Sequence, residues 1–398
     1  MMNTPLPLQD IRIARIATVP YTMVAHLKSQ IAHIRHQGAQ VYAVASDEPE
    51  MAALEELDGV RCIPLDIPRA ISPWRDLRAF IGLYRFFRRE RIQIAHSTTP
   101  KAGLLTALAA FAAGVPVRLH TFTGQPWVTM RGAKRWLARA GDKLIGRLNT
   151  RCYADSPSQK EFLISQGIVD ERRLFVVGAG SLAGVDVRRF DPDRFPARQR
   201  DAVRRSIGIP DGAPVLLFVG RITRDKGIDE LLAAYTAIKQ TGSPAHLVIV
   251  GNFDNASGTG GAISRSDIVR LPDAHIVDYT DNPESFFSIA DILCLPSYRE
   301  GFGTVVIEAA AMGVTMVGTN IYGLSDAVVD GETGLLVPVK DAGALAQAMA
   351  KLLNDQGLRA RMAEAARQRT LALFDAERVN DLVVREYADL LSAKGIRP

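Results

Sequence analysis

Two acidic and two basic side chains in the second half of the chain carry the most chemical information. The stretch Pro296-Ser-Tyr-Arg-Glu300-Gly-Phe302-Gly303-Thr304-Val-Val-Ile-Glu308 follows an apolar run at Ile292–Leu295. Its composition predicts a strand, a glycine-bearing turn and the start of a helix. Free backbone N–H groups at such a helix start suit an anion. Glu300 falls in the turn and Glu308 about one turn into the helix, so both carboxylates are expected to reach one cleft. Upstream, Phe218-Val-Gly220-Arg221-Ile-Thr-Arg-Asp-Lys226-Gly227 again joins an apolar strand to a helix. Gly220 and Gly227 permit close backbone approach, and Arg221 and Lys226 can set two fixed positive charges against a diphosphate. Together these groups suit a ligand that carries both hydroxyls and phosphates.

Positioning such groups requires strands that end in loops on one edge, and the chain is patterned accordingly. Short apolar runs (Ile11–Thr18, Gln40–Ala45, Val60–Leu65, Ile92–His96, Val115–Thr121, Cys152–Ala154, Leu174–Val177) alternate with helical stretches. Alternation of this kind predicts βαβ units and a parallel sheet with helices on both faces. The turn-rich, charged segment 178–196 breaks the pattern, which then resumes from Val215 to Val337 and closes in helices. The expected α/β architecture is therefore two doubly wound, Rossmann-like domains facing across a cleft. Their expected extents are 1–190 and 191–374, with a last helix from about 375 to 398 packing back on the first. The Gly/Pro-bearing linker further predicts that the domains close on ligand.

The 398 residues are 47% hydrophobic and 23% charged, with 32 Gly and 21 Pro spread evenly, which excludes disordered, collagen-like and coiled-coil classes. Cys62, Cys152 and Cys294 are widely spaced, which argues against a disulfide framework or a cysteine zinc site. Residues 1–200 carry 29 Lys+Arg against 18 Asp+Glu, and residues 201–398 carry 19 against 25. The basic first half points to an anionic partner. No signal peptide or membrane-spanning run is expected, so the chain reads as soluble and cytoplasmic. Pro73–Arg91 and Arg131–Arg151 are basic, aromatic-bearing amphipathic stretches. They suit either an anionic lipid surface or ordinary packing with a solvated basic face. Nothing resembles a nucleic-acid motif, and Asp191-Pro-Asp193 lacks the strand context of a metal-binding pair, so no metal or other cofactor is expected.

Glu300-x7-Glu308, Gly-Arg-x4-Lys-Gly at 220–227 and Val329-Asp-Gly-Glu-Thr-Gly-Leu-Leu-Val-Pro338 together resemble the retaining glycosyltransferases of family 4, which have the GT-B fold. The first half agrees, with Ile94-Ala-His96-Ser-Thr-Thr-Pro-Lys101 and Gly114-Val-Pro-Val-Arg-Leu-His120-Thr-Phe-Thr123-Gly124. The resemblance implies a nucleotide-sugar donor, UDP-linked, held by the second domain, and an acceptor held by the first. It implies that Glu300 contacts the transferred sugar and Glu308 the ribose, while Arg221 and Lys226 neutralise the departing diphosphate and backbone N–H groups of Phe302, Gly303 and Thr304 cradle sugar and phosphate. His96, Lys101, Thr123 and Gly124 become candidates for the acceptor side or cleft, and either His120 or Thr123 for a polar role near the sugar. The branch it is most similar to comprises bacterial enzymes that extend a polyprenyl-diphosphate-linked glycan, in surface polysaccharide or glycoprotein assembly, at the inner face of the membrane. A soluble acceptor, or sugar-nucleotide binding without turnover, are the alternatives. The first βα loop, Thr18-Val-Pro-Tyr-Thr22, departs from the family: it lacks glycine, and Pro20 removes a donor.

Overall fold

A computed structural model describes residues 6–253 and 263–396. The chain divides into two compact units, residues 1–184 with 376–398, and residues 185–375. The boundary falls six residues before the expected 190/191. Its cause is local: Val185 N–H donates to Phe374 O at 2.8 Å and Val185 bridges Asp375, which ties residue 185 into the second unit.

Among its described residues the first unit holds seven strands: β1 Arg12–Ile16, β2 Gln40–Ala45, β3 Val60–Pro64, β4 Ile94–Thr98, β5 Val117–Phe122, β6 Arg151–Ala154 and β7 Leu174–Val176. They form one parallel sheet in the order β3-β2-β1-β4-β5-β6-β7. A sheet covered on both faces needs strands that are apolar throughout, and β1, β2 and β4 are buried almost end to end. The two-residue period then sorts neighbours to opposite faces. Ile13, Val41, Val117 and Leu119 pack under the helices Pro20–His36 and Ala376–Ser392. Ala14, Tyr42, Val44 and Ala95 pack under Pro73–Arg89 and Pro100–Ala113. The Gly132–Leu148 helix continues that second layer, against Ala107 and Phe122. Pro20, Pro73, Pro100 and Pro157 each open a helix, where the missing N–H is no loss.

The second unit holds β8 Val215–Val219, β9 His246–Val250, β10 Ala274–Val277, β11 Ile292–Leu295, β12 Thr315–Thr319 and β13 Gly334–Val337. These are parallel in the order β10-β9-β8-β11-β12-β13. The order reverses between β8 and β11, so the loops leaving those two strands splay apart at a switch point. Arg221 and Lys226 lie on the first loop, and Glu300 lies on the second.

Candidate active site

In the second unit the β8 and β11 loops are locked together by backbone contact. Gly227 has φ +72°, and a Cβ there would lie 2.0 Å from the Pro296 carbonyl oxygen. Only glycine lets the two loops approach so closely. From the other side Gly323, at φ +86°, lies where a Cβ would meet the Gly301 and Glu300 carbonyl oxygens at 2.7 and 2.9 Å. The loop bearing Glu300 is thus clamped between two glycines.

That clamp brings Lys226 Nζ to 2.5 Å from Glu300 Oε1, with the side chains 18% and 13% exposed. Buried Ser297 donates to the same oxygen at 2.8 Å, and Ser297 O in turn accepts from the Thr319 hydroxyl at the end of β12. One cation, one carboxylate and one hydroxyl are therefore preset at the switch point. Arg221 is exposed on the same loop. Asp225, which the sequence reading passed over, lies among the cations. It accepts from Thr223 Oγ1 at 2.6 Å and from Arg299 Nη2 at 3.0 Å. Burial pushes its carboxyl up, but the Thr223 hydroxyl and the charges of Arg299, Arg221 and Lys226 outweigh this and hold it below the usual carboxylate range.

Glu308 sits in the Thr304–Ala311 helix with different neighbours. Burial pushes its carboxyl up to about 7; the Arg189 guanidinium pulls it down and the Glu284 carboxylate pushes it further up. Arg189 Nη2 itself donates to Glu284 Oε2 at 2.8 Å and to Asp281 O. Glu300 thus has a direct ionic partner in Lys226, whereas Arg189 and Glu284 act on Glu308 through their charges. Neither Arg189 nor Glu284 was among the expected site residues, although Arg189 lies in the charged segment 178–196. The Phe302 ring is buried 5.0 Å from that of Phe374. Gly303 caps the helix with φ +85° and Thr304 begins it.

In the first unit the two candidate histidines have distinct surroundings. His120 points to the face under Pro100–Ala113, where its Nδ1 lies 2.9 Å from Ser97 Oγ and its ring packs edge-on to Phe122. A Cβ on Gly103 would lie 2.4 Å from the His120 ring. Burial pushes its pKa down to about 3, so the ring is neutral. His120 is therefore a buried, neutral ring under a glycine notch. Thr123 and Gly124, partly exposed beyond the end of β5, occupy the open edge instead.

His96 faces the opposite side, under the C-terminal helix. Its Nδ1 lies 2.5 Å from Tyr387 Oη and 3.2 Å from Arg15 Nη1, and its Nε2 lies 2.8 Å from Thr121 Oγ1. Arg15 is fully buried and donates to Tyr387 Oη at 2.7 Å. Burial first, then the Arg15 charge, holds His96 well below its usual range. Lys101 is paired with Asp76 at 2.6 Å and also donates to Ala70 O, so it staples two helix starts together. At that edge Thr99 has φ +76°, a strained setting for a β-branched residue, with its hydroxyl 2.9 Å from that of Thr18. Asp191 and Asp193 lie on a short turn where Asp191 caps the backbone and faces Arg367, and among the described residues no cluster of His, Cys, Asp or Glu is set to hold a metal.

Residues 22–180 match the glycosyl transferase 4-like domain, and residues 199–369 match the glycosyl transferases group 1. The chain is 30% identical to the capsular polysaccharide biosynthesis glycosyltransferase CapM of Staphylococcus aureus, over 88% of this chain and 90% of that one. The chain belongs to the group 1 glycosyltransferases. This is a retaining family, and its GT-B architecture is the pair of parallel-sheet units described above. Anabaena HepE, solved with UDP and glucose, shares the fold with a TM-score of 0.79 at 16% identity, over 96% of this chain and 99% of HepE. A Rickettsia africae glycosyltransferase shares it with a TM-score of 0.78 at 19% identity, over 96% and 99%.

Proposed function

We propose that this glycosyltransferase moves a hexose or N-acetylhexosamine from a UDP-sugar, with retention of configuration, to a lipid-diphosphate-linked glycan in the assembly of a surface polysaccharide or glycoprotein glycan. Such an acceptor places the enzyme at the inner face of a cell membrane. The observation that carries the donor half is the 2.5 Å contact of Lys226 with Glu300 at the switch point of the second sheet. On donor binding, Lys226 and Arg221 neutralise charge on the departing diphosphate, and Glu300 accepts hydrogen bonds from hydroxyls of the transferred sugar. Charge-assisted bonds of this kind contribute about 1.5–3 kcal/mol each. Glu308 accepts from the ribose hydroxyls, and N–H groups of Phe302, Gly303 and Thr304 hold sugar and phosphate.

In the step itself the bond from the anomeric carbon to the diphosphate oxygen breaks through an oxocarbenium-like state. A donor phosphate oxygen takes the acceptor hydroxyl's proton, and the new bond forms on the same face. No protein nucleophile enters this scheme, and the fixed cations do the neutralising, so turnover is expected to persist in EDTA. The UDP assignment is supported by the fold shared with HepE, and the acceptor class by the similarity to CapM.

A thermal-shift screen against UDP, GDP and ADP sugars tests the donor, since a ligand at about 100 times its dissociation constant stabilises by about 2.7 kcal/mol. Transfer of radiolabelled sugar from the stabilising donor to a polyprenyl-diphosphate glycan tests the acceptor. Transfer only to soluble sugars would replace the lipid-linked acceptor with a soluble one. Donor binding with no transfer would leave a sugar-nucleotide-binding protein.

A further inference from the structure

The Pro73–Arg89 helix has two apolar stripes, and the fold explains only one of them. Ala79, Leu83, Phe86 and Phe87, spaced four, three and one, are buried against the sheet. Trp74, Leu77, Ile81 and Tyr84, spaced three, four and three, form a second stripe on the opposite side of the same helix. They are 80%, 48%, 37% and 37% exposed. The stripe runs ten residues, or about 15 Å at about 1.5 Å per residue. Arg78, Arg85 and Arg88 are interleaved with it, all exposed.

A second prong stands beside it. At the start of the Gly132–Leu148 helix, residues 131–137 are exposed in succession, among them the capping Arg131, Lys134, Arg135, Trp136 and Leu137. Trp136 is 72% exposed. Both helices pack on the same face of the first sheet, flanking Pro100–Ala113. Both run back from the C-terminal edge of the parallel strands, so Trp74 and Trp136 lie towards the edge that carries Lys101, Thr123 and Gly124.

Charge selects the occupant. Residues 69–91 hold seven Arg against Asp76 and Glu90, and residues 131–151 hold seven Lys+Arg against Asp142 alone. None of those acids is left to oppose an anion: Asp76 pairs with Lys101, Glu90 with Arg89, and Asp142 is buried against Trp127 Nε1 at 2.7 Å. Arg69, Arg75, Arg89 and Arg151 are held in ion pairs with Glu48, Asp66, Glu90 and Glu386, but Arg78, Arg85, Arg88, Lys134 and Arg135, which flank the exposed aromatics, have no acidic partner among the described residues. Apolar aromatic side chains flanked by such cations match the headgroup zone of an anionic bilayer, where tryptophan and arginine are both accommodated.

We propose that the outer stripe of Pro73–Arg89 and the exposed start of Gly132–Leu148 form a docking face for an anionic membrane surface, with Trp74 and Trp136 entering the headgroup layer. This deepens the lipid-linked reading by naming the surface that meets the bilayer, and the fold of the first unit alone carries it. Flotation of the full chain with vesicles of phosphatidylglycerol and phosphatidylcholine tests it, against vesicles of phosphatidylcholine alone. The protein should float with the anionic vesicles, detach as salt rises, and show a blue-shifted tryptophan emission that brominated lipid quenches. W74S/L77S/W136S should bind at least tenfold more weakly, and so should R78E/R85E/R88E, with unchanged melting temperatures. W74F/W136F should lose the emission shift, since the third tryptophan, Trp127, is buried.

Unchanged flotation of both multiple variants, or a parent protein that stays in the soluble fraction, would overturn the proposal. Concentration-dependent dimerisation that the serine variant abolishes, without flotation, would assign the face to a second copy instead. UDP-sugar binding and turnover on a short-chain acceptor, measured without vesicles, should be unaffected by W74S/L77S/W136S. Failure of the docking face and failure of the transferase reading are thereby separate results.

Discussion

Lys226 Nζ lies 2.5 Å from Glu300 Oε1, on loops that are 74 residues apart in sequence. Neither side chain is free in solvent, so the ammonium and carboxylate hold each other in place before any donor arrives. A site set in advance in this way has little to reorganise when charge develops on a leaving diphosphate.

Replacing Lys226 by Ala removes a cation without stranding its partner, because Ser297 still donates to Glu300. Turnover should fall by about 10²–10³, as when one preorganised donor is removed from a developing anion. Glu300→Gln keeps the shape and loses the charge, and should show a comparable loss in kcat. Both are checked by initial rates at saturating donor, with circular dichroism confirming that the fold is retained.

Gly227→Ala tests the dovetail between the loops. Its Cβ would collide with the Pro296 carbonyl, a backbone atom, at a φ that L residues rarely adopt. The expected outcome is a Lys226–Glu300 pair pulled apart, with loss of turnover and a lower melting temperature. An alanine variant with parental kcat would show that the contact does not position the pair.

The Glu308 carboxyl, pushed up to about 7, gives two opposite pH signatures. Between its usual value near 4.5 and about 7 the folded state holds more protons than the unfolded one, so this group's contribution to stability falls as pH rises through that window. Glu308→Gln should therefore melt higher than the parent at pH 8 and close to it below pH 4.5. Donor affinity runs the other way, since ribose hydroxyls donate best to the ionised form, and the donor KM should rise as pH drops below about 7. Arg189→Ala removes the cation that pulls Glu308 down, and should move this inflection to higher pH. Both are checked by melts and by KM across pH 5–9.

Tyr387→Phe leaves the buried Arg15 guanidinium without its 2.7 Å hydroxyl acceptor. A lost hydrogen bond to a buried charged group costs about 1.5–3 kcal/mol, and equilibrium unfolding in urea should report a loss of that order. Truncation after Asp375 should do more, because Val383, Val384, Tyr387 and Leu391 belong to the core of the first unit. The truncated chain is expected to be insoluble or partly unfolded by circular dichroism.

Much of the fold is legible in the sequence for a plain reason. Strands covered on both faces read as uninterrupted apolar runs, and proline and glycine mark where helices start and stop. The loops at 220–227 and 296–304 stand out because glycine and charge together are unusual next to such runs. Helix faces were not legible in the same way. Pro73–Arg89 is apolar on two sides, and composition alone does not say that Phe86 turns in while Trp74 turns out. His96 and His120 look alike in sequence, yet strand register sends one under the C-terminal helix and the other against Gly103.

The sequence by itself determined the element types and the residues whose chemistry suits an activated sugar, because both follow from local pattern and side-chain chemistry. Only the tertiary structure decided the pairings: Lys226 with Glu300, Glu308 beside Arg189 and Glu284, and Arg15 with Tyr387 across 372 residues. These depend on sheet order and loop clamping, and a burial penalty or a 2.5 Å contact exists only once distant segments share one dry space.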